Sequence, residues 1–145
     1  MKYVSVIDID LPRPRVVELF DDPENMKKWM QGLQEFTHLS GLPGQIGARS
    51  KLLFRMGNRR VEMIETITSR NLPDTMGGTY EAKGVFNLIT VRFIDLDGKT
   101  RYVSEQEFRF SGLFMKLMAR LMPGAFKKQT MKYMQAFKEF AEKEG

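Results

Sequence analysis

The 145-residue sequence contains no cysteine and a single histidine. Without cysteine there are no disulfides and no thiol ligands, which fits a reducing compartment, so the expected location is the cytoplasm. His38, near a predicted strand end with no cysteine to partner, fits a surface or capping role better than a catalytic one. No HExxH, paired-cysteine or clustered-carboxylate spacing suggests a metal site, and no G-x-S-x-G nucleophile elbow is present. Neither metal nor cofactor is therefore expected. No run approaches the ~18 consecutive apolar residues needed to span a bilayer. The opening MKYVSVIDIDLP has acidic residues inside its apolar run and lacks a positive leader and a small-residue cleavage site, so it does not read as a signal peptide. Repeats, low-complexity tracts and linkers are also missing, and residues 1–145 read as one domain.

What is present is ordinary for a globular chain: 42% hydrophobic and 28% charged residues with a net charge of +5. That charge is uneven, −2 over 1–47, +4 over 48–72, −1 over 73–110 and +4 over 111–145. Arg49, Lys51, Arg55, Arg59 and Arg60 make one basic segment, and Lys116, Arg120, Lys127, Lys128 and Lys132 the other. Basic patches can attract anionic membranes or nucleic acid. Here the cations alternate with inward apolar residues, as on a solvated outer face, and no aromatic residues interleave with them as on a stacking platform. Nucleic acid is not expected as a partner; transient contact with an anionic membrane remains open.

Hydrophobic periodicity orders the chain. Lys2 to Ile9 alternates as a strand, and Pro12 and Pro14 then suit the first turn of a helix with Val16, Val17, Leu19 and Phe20 on its apolar side. Asp22-Pro23 restarts the chain with a capping carboxylate and a first-turn proline, giving a second short helix to about Met30. From Phe36 to Phe110 the period is close to two, with strands around 48–56, 60–69, 75–83, 85–95 and 100–110 and turns at Gly57-Asn58, Lys83-Gly84 and 95–99. Connections this short require an antiparallel meander. Beyond Ser111, a candidate helix cap, apolar residues recur at helical spacing, and Pro123-Gly124 predicts a break into a short leading and a long trailing helix.

The stretch GLPGQIGARSKLLF, residues 41–54, carries three glycines at intervals of three. A phosphate loop needs its glycines to lead into a helix, whose free N–H groups and dipole meet the anion. These lead into a strand, and the spacing matches neither the dinucleotide fingerprint nor the Walker motif. They are read as bends that bring the backbone into a curved sheet.

The order of elements resembles the START-like superfamily, which includes the birch-pollen-allergen fold and the polyketide cyclase/dehydrase and lipid-transport group. Carrying the likeness are Ile9-Asp10 with Pro12 and Val16, the step Leu19-Phe20-Asp21-Asp22-Pro23, Trp29 ending the second helix, Gly44 with Gly47-Ala48-Arg49, Asp97 to Arg101 in a late hairpin, and Phe137-Lys138 in the long terminal helix. The likeness spans essentially the whole chain. It implies an α+β helix-grip fold: a curved antiparallel sheet, in the order β-α-α-β-β-β-β-β-β-α, wrapped around a long carboxy-terminal helix. Between sheet and helix it implies an internal cavity for lipids, polyketides or other apolar small molecules.

Alternation assigns faces within such a cavity. Leu52 and Phe54 share one side of their strand, and Met63 with Glu65 and Ile67 shares a side of the next. A carboxylate in an apolar wall must be paired or hydrogen-bonded, or shift its pKa upward, unless a bulge or strand end returns it to water. The same alternation turns inward Tyr80, then Asn87 and Ile89, then Tyr102, Ser104, Gln106 and Phe108. The polar members, Glu65, Tyr80, Asn87, Ser104 and Gln106, either bond one another or meet a ligand. Trp29 and, from LFMKLMARLMPG, Phe114, Met118 and Met122 complete the expected lining; methionines suit either a core or an adaptable gate. The expected function is binding, as carrier or sensor, of an apolar or amphipathic small molecule. The alternative is a cyclase- or aromatase-like enzyme, for which Glu65, Tyr80 and Tyr102 are the catalytic candidates.

Overall fold

The computed structural model describes all 145 residues. Strand β1 (Lys2–Ile9) leads to helix α1 (Arg13–Asp21), a 3-10 turn (Pro23–Asn25) and the short helix α2 (Met26–Trp29). Six strands follow: β2 (Leu33–Ser40), β3 (Arg49–Met56), β4 (Arg59–Asn71), β5 (Thr75–Ala82), β6 (Val85–Asp95) and β7 (Thr100–Phe110). Two helices, α3 (Leu113–Leu121) and α4 (Pro123–Glu144), close the chain. All seven strands form one antiparallel sheet in the order β1-β7-β6-β5-β4-β3-β2, with β1 returning to pair the last strand. This is the α+β helix-grip arrangement. Register shifts between Leu33 and Glu35, His38 and Ser40, and Ile67 and Ser69 mark bulges, which sharpen twist and let the sheet curve around α4.

Local chemistry sets the junctions. Pro12 stands at the N-cap of α1, whose Val16 and Leu19 are buried. The Asp22 carboxylate accepts from the Glu24 N–H at 3.0 Å, and Pro23 follows it in the 3-10 turn. Pro123 begins α4, as expected of a residue whose missing N–H costs nothing in a first turn. Ser111, however, does not cap α3: Gly112, with φ +82°, occupies the N-cap, so the serine lies one residue too early. Gly41, Gly44 and Gly47 have φ of +78°, +76° and +89°, so each bends the chain as only glycine does freely. A Cβ at Gly41 would also lie 2.9 Å from the Ala48 Cα. The bend is held by Arg70, which donates to both Asp21 carboxylate oxygens at 2.9 and 2.6 Å and to the Gly44 carbonyl at 3.0 Å.

The packed core lies at one end of the grip. Ile9, Val16, Trp29, Phe93, Tyr102, Met134 and Phe137 are among its buried members. The Phe137 ring stands 5.1 Å from Trp29 and 5.5 Å from Phe20, both edge-on, the favoured aromatic geometry. A smaller buried cluster of Leu33, Leu52 and Phe54 occupies the other edge of the sheet. Helix α4 makes its principal contacts with β1 and α2. Helix α1 meets β6, and strands β4 and β5 are left without a helix packed closely against them.

Candidate functional site

The space left there is a cavity of about 1350 Å³ lined by 42 residues, 24 of them hydrophobic. Ligand pockets commonly run from about 300 to 1,000 Å³, so this one can hold a molecule larger than a typical metabolite. Inward-facing Met63, Glu65, Tyr80 and Ile89 are only half-buried, although they sit in the middle of the sheet. Their accessible surface faces the cavity; a sheet packed solidly on a helix would have removed it.

Twelve of the fifteen residues expected from alternation and resemblance border this cavity: Trp29, Phe54, Met63, Glu65, Tyr80, Asn87, Ile89, Tyr102, Ser104, Gln106, Phe108 and Phe114. Three do not. Leu52 faces inward as expected but is fully buried, packed into the cluster with Leu33 and Phe54. Met118 is half-buried on the inner side of α3 without reaching the cavity, and Met122 stands 52% exposed where α3 gives way to α4. Sequence reasoning also missed much of the helical wall: Met26, Met30, Phe126, Thr130, Tyr133 and Met134 border the cavity from α2, the residue after it and α4. The four on α4 recur at spacings of three and four, a stripe that by itself reads equally as packed core.

The polar members are paired with one another in two groups. Tyr80 donates its hydroxyl to the Glu65 carboxylate at 2.5 Å, and the two residues are register partners on β4 and β5. Burial pushes the Glu65 carboxyl above its ordinary range, against which the Tyr80 hydrogen bond works. Burial, together with the adjacent Glu65, pushes the Tyr80 phenol well up, so it remains a donor. Tyr102 is pushed up by burial alone. In the second group, Asn87 donates to Gln106 Oε1 at 3.3 Å and to the Glu107 carbonyl at 3.2 Å, and Gln106 Nε2 donates to Ser104 Oγ at 3.1 Å. Tyr3 joins from the edge strand, with its hydroxyl 2.6 Å from Thr130 Oγ1 and donating to the Phe126 carbonyl at 3.1 Å. Tyr3 thereby fastens α4 to the sheet, a role that alternation along β1 alone does not reveal.

The cavity opens at the tips of the hairpins. Its border there includes four cations, Arg55, Arg59, Arg60 and Lys83, against one exposed carboxylate, Glu62, with Phe114 from α3, and none of these charged groups is in an ion pair. No group of three or more His, Cys, Asp or Glu side chains is placed to hold a metal ion. The site offers an apolar volume with a predominantly basic mouth, one half-buried acid–phenol pair on the cavity wall, and an amide–hydroxyl network near α4. His38 lies elsewhere, exposed, with its Nε2 2.7 Å from the Gly41 carbonyl.

Residues 1–138 match the family model described as polyketide cyclase / dehydrase and lipid transport. The chain belongs to that family. No curated protein sequence matches it. Among solved structures, this family member is similar to TTHA0849 from Thermus thermophilus, with a TM-score of 0.80 at 15% identity over 97% of both chains. It is similar also to the Zhui aromatase/cyclase from a Streptomyces species, with a TM-score of 0.79 at 15% identity over 98% of this chain and 93% of that one. A third is norcoclaurine synthase from Thalictrum flavum, in complex with dopamine and hydroxybenzaldehyde, with a TM-score of 0.73 at 11% identity over 100% and 88%. At such identities the likeness concerns the fold. The family description supports a role in ligand binding or cyclisation without separating the two.

Proposed function

We propose that this protein is a carrier or sensor of an apolar or amphipathic small molecule held in the internal cavity. One observation carries the reading: an open apolar volume of about 1350 Å³ in the middle of an otherwise ordered fold. Exposing that much apolar surface is costly unless a guest covers it, at about 25 cal/mol per Å² of apolar surface. The Glu65–Tyr80 pair and the Asn87–Gln106–Ser104 network are already paired, while the buried Trp29 Nε1 has no partner, so polar groups offer a guest orientation at a few points and the walls supply the affinity. The basic mouth suits an amphiphile with an acidic or polar head. The absence of cysteine supports a cytoplasmic setting, and no helix is long and apolar enough to cross a membrane. Native mass spectrometry of freshly purified protein tests the reading. The expected result is an unmodified small molecule bound one to one and lost on organic extraction; protein that is always ligand-free and fails to take up fluorescent fatty-acid or polyketide probes overturns it.

The Glu65–Tyr80 pair favours a second reading, a cyclase-like enzyme. A carboxyl whose pKa is raised by burial, held 2.5 Å from a phenol inside a ligand-sized cavity, is equipped to move a proton to or from a bound polyketone. Under that reading the walls fold the reactive chain and the pair supplies acid–base chemistry. Turnover of a polyketone substrate, with loss of about 10²-fold or more in Glu65→Gln, would select the enzyme; ligand recovered chemically unchanged selects the carrier.

A further inference from the structure

Helix α3 is built inside out. Leu113, Phe114, Leu117 and Leu121 are 91%, 67%, 53% and 67% exposed, and no residue of the helix is fully buried. At 100° per residue these four fall within an arc of about 100°, so they form one continuous outward stripe. The opposite side carries the half-buried Met115, Met118 and Ala119, and Met115 lies against Gly84, where an added Cβ would meet its Cγ at 2.8 Å. The helix is therefore anchored by a thin inner face and turns its larger apolar face to the outside. Lys116 and Arg120 lie together beside the Leu113 edge of the stripe.

The charges around the stripe say what covers it. From Glu107 to Glu139 there is no acidic residue between, while Arg109, Lys116, Arg120, Lys127, Lys128, Lys132 and Lys138 are all present. Lys116, Arg120, Lys127, Lys128 and Lys132 are in no ion pair, as are Arg55, Arg59, Arg60 and Lys83 at the cavity mouth. Leu113 and Phe114 belong to both features, bordering the cavity while standing exposed. A second copy of this chain would bring like charges together across such a face. An anionic bilayer instead accepts the apolar stripe among its acyl chains and the cations among its headgroups.

We infer that α3 and the basic mouth form a docking surface for an anionic phospholipid bilayer, seated so that the cavity opens onto the lipid. The docking itself stands apart from the carrier reading; only its purpose, passage of ligand between membrane and cavity, rests on that reading. The outward stripe becomes the buried side of an interfacial helix, and Phe114 becomes the residue that both lipid and guest touch.

Flotation of the full chain with phosphatidylcholine vesicles, with and without about 30% phosphatidylglycerol, tests the inference. Binding is expected only to the anionic vesicles and is expected to fall steeply between low and physiological salt. Leu117→Glu with Leu121→Glu, and separately Lys116→Glu with Arg120→Glu, are each expected to weaken it by about tenfold or more. These four side chains are outside the cavity lining, and circular dichroism with thermal melts checks that both double variants fold. Equal flotation with neutral and anionic vesicles, or variants that bind like the parent, overturns the inference. So does a concentration-dependent dimer that disappears in Leu117→Glu with Leu121→Glu while anionic vesicles are ignored. Ligand recovery measured on the same preparations separates the two proposals, because protein that carries a ligand yet ignores vesicles refutes only the docking surface.

Discussion

Leu52 and Met63 face each other across β3 and β4 as register partners, and both point inward. Leu52 is fully buried among Leu33 and Phe54, whereas Met63 is half-buried and borders the cavity. Truncating each to alanine therefore measures whether the interior is filled at one site and empty at the next. Leu52→Ala removes contacts on every side and leaves a hole in a closed cluster, for which the cost is about 3–5 kcal/mol. Met63→Ala removes a side chain that packs against the Leu33–Leu52–Phe54 cluster on one side and faces the cavity on the other, so fewer contacts are lost and the cost falls to about 1 kcal/mol. At about 2–4 °C per kcal/mol for a chain of this size, the two melting temperatures fall by roughly 10 °C and 3 °C. Urea titrations followed by circular dichroism provide the assay, with unchanged m-values required for the comparison. Equal costs at the two positions would mean that Met63 is packed as tightly as Leu52, and the cavity as the basis of function would fall. A bound ligand sharpens the contrast, because Met63→Ala should alter ligand affinity and Leu52→Ala should act chiefly through stability.

Glu65 gives a pH signature of defined sign. Its folded pKa lies above the unfolded value, so the folded state holds the proton more tightly, and stability falls as pH rises from about 4.5 through the raised value. Glu65→Gln should remove that decline, and pH-resolved urea titrations with parallel slopes for parent and variant would contradict the burial of the carboxyl. The glycine bend makes a second pair. Gly41→Ala meets both a left-handed backbone and the Ala48 backbone at 2.9 Å, and should cost more than about 2 kcal/mol. Gly47→Ala meets the backbone penalty with nothing within 4 Å, and should cost about 1 kcal/mol; thermal melts giving the reverse order would refute the assigned geometry.

The strand faces were legible because period-two alternation fixes which side each residue takes, and the bulge between Ile67 and Ser69 falls beyond Glu65, leaving that residue on the inward side. The break at Pro123 was legible from a proline whose ring cannot continue a helix. Less visible was the division of inward residues between cavity and core. Leu52 and Met63 look alike in the sequence, as apolar members of alternating strands, and differ only in what stands opposite. The pairing of Glu65 with Tyr80, and of Tyr3 with Thr130, joins residues 15 and 127 positions apart. Neither follows from spacing, because side-chain partners across a sheet or between sheet and helix depend on register and docking.

Local pattern by itself determined the order of elements, the meander, the glycine hinge ahead of β3 and the basic character of two segments, since each follows from backbone preference or charge within a few residues. Tertiary structure alone decided that α4 leans on β1 and α2 and leaves the middle of the sheet uncovered, and that α3 turns its leucines outward. The physical reason is that apolar periodicity records which side of an element avoids water in one chain's sequence. Whether that side meets protein, a guest molecule or a bilayer is set by what the rest of the fold brings opposite it.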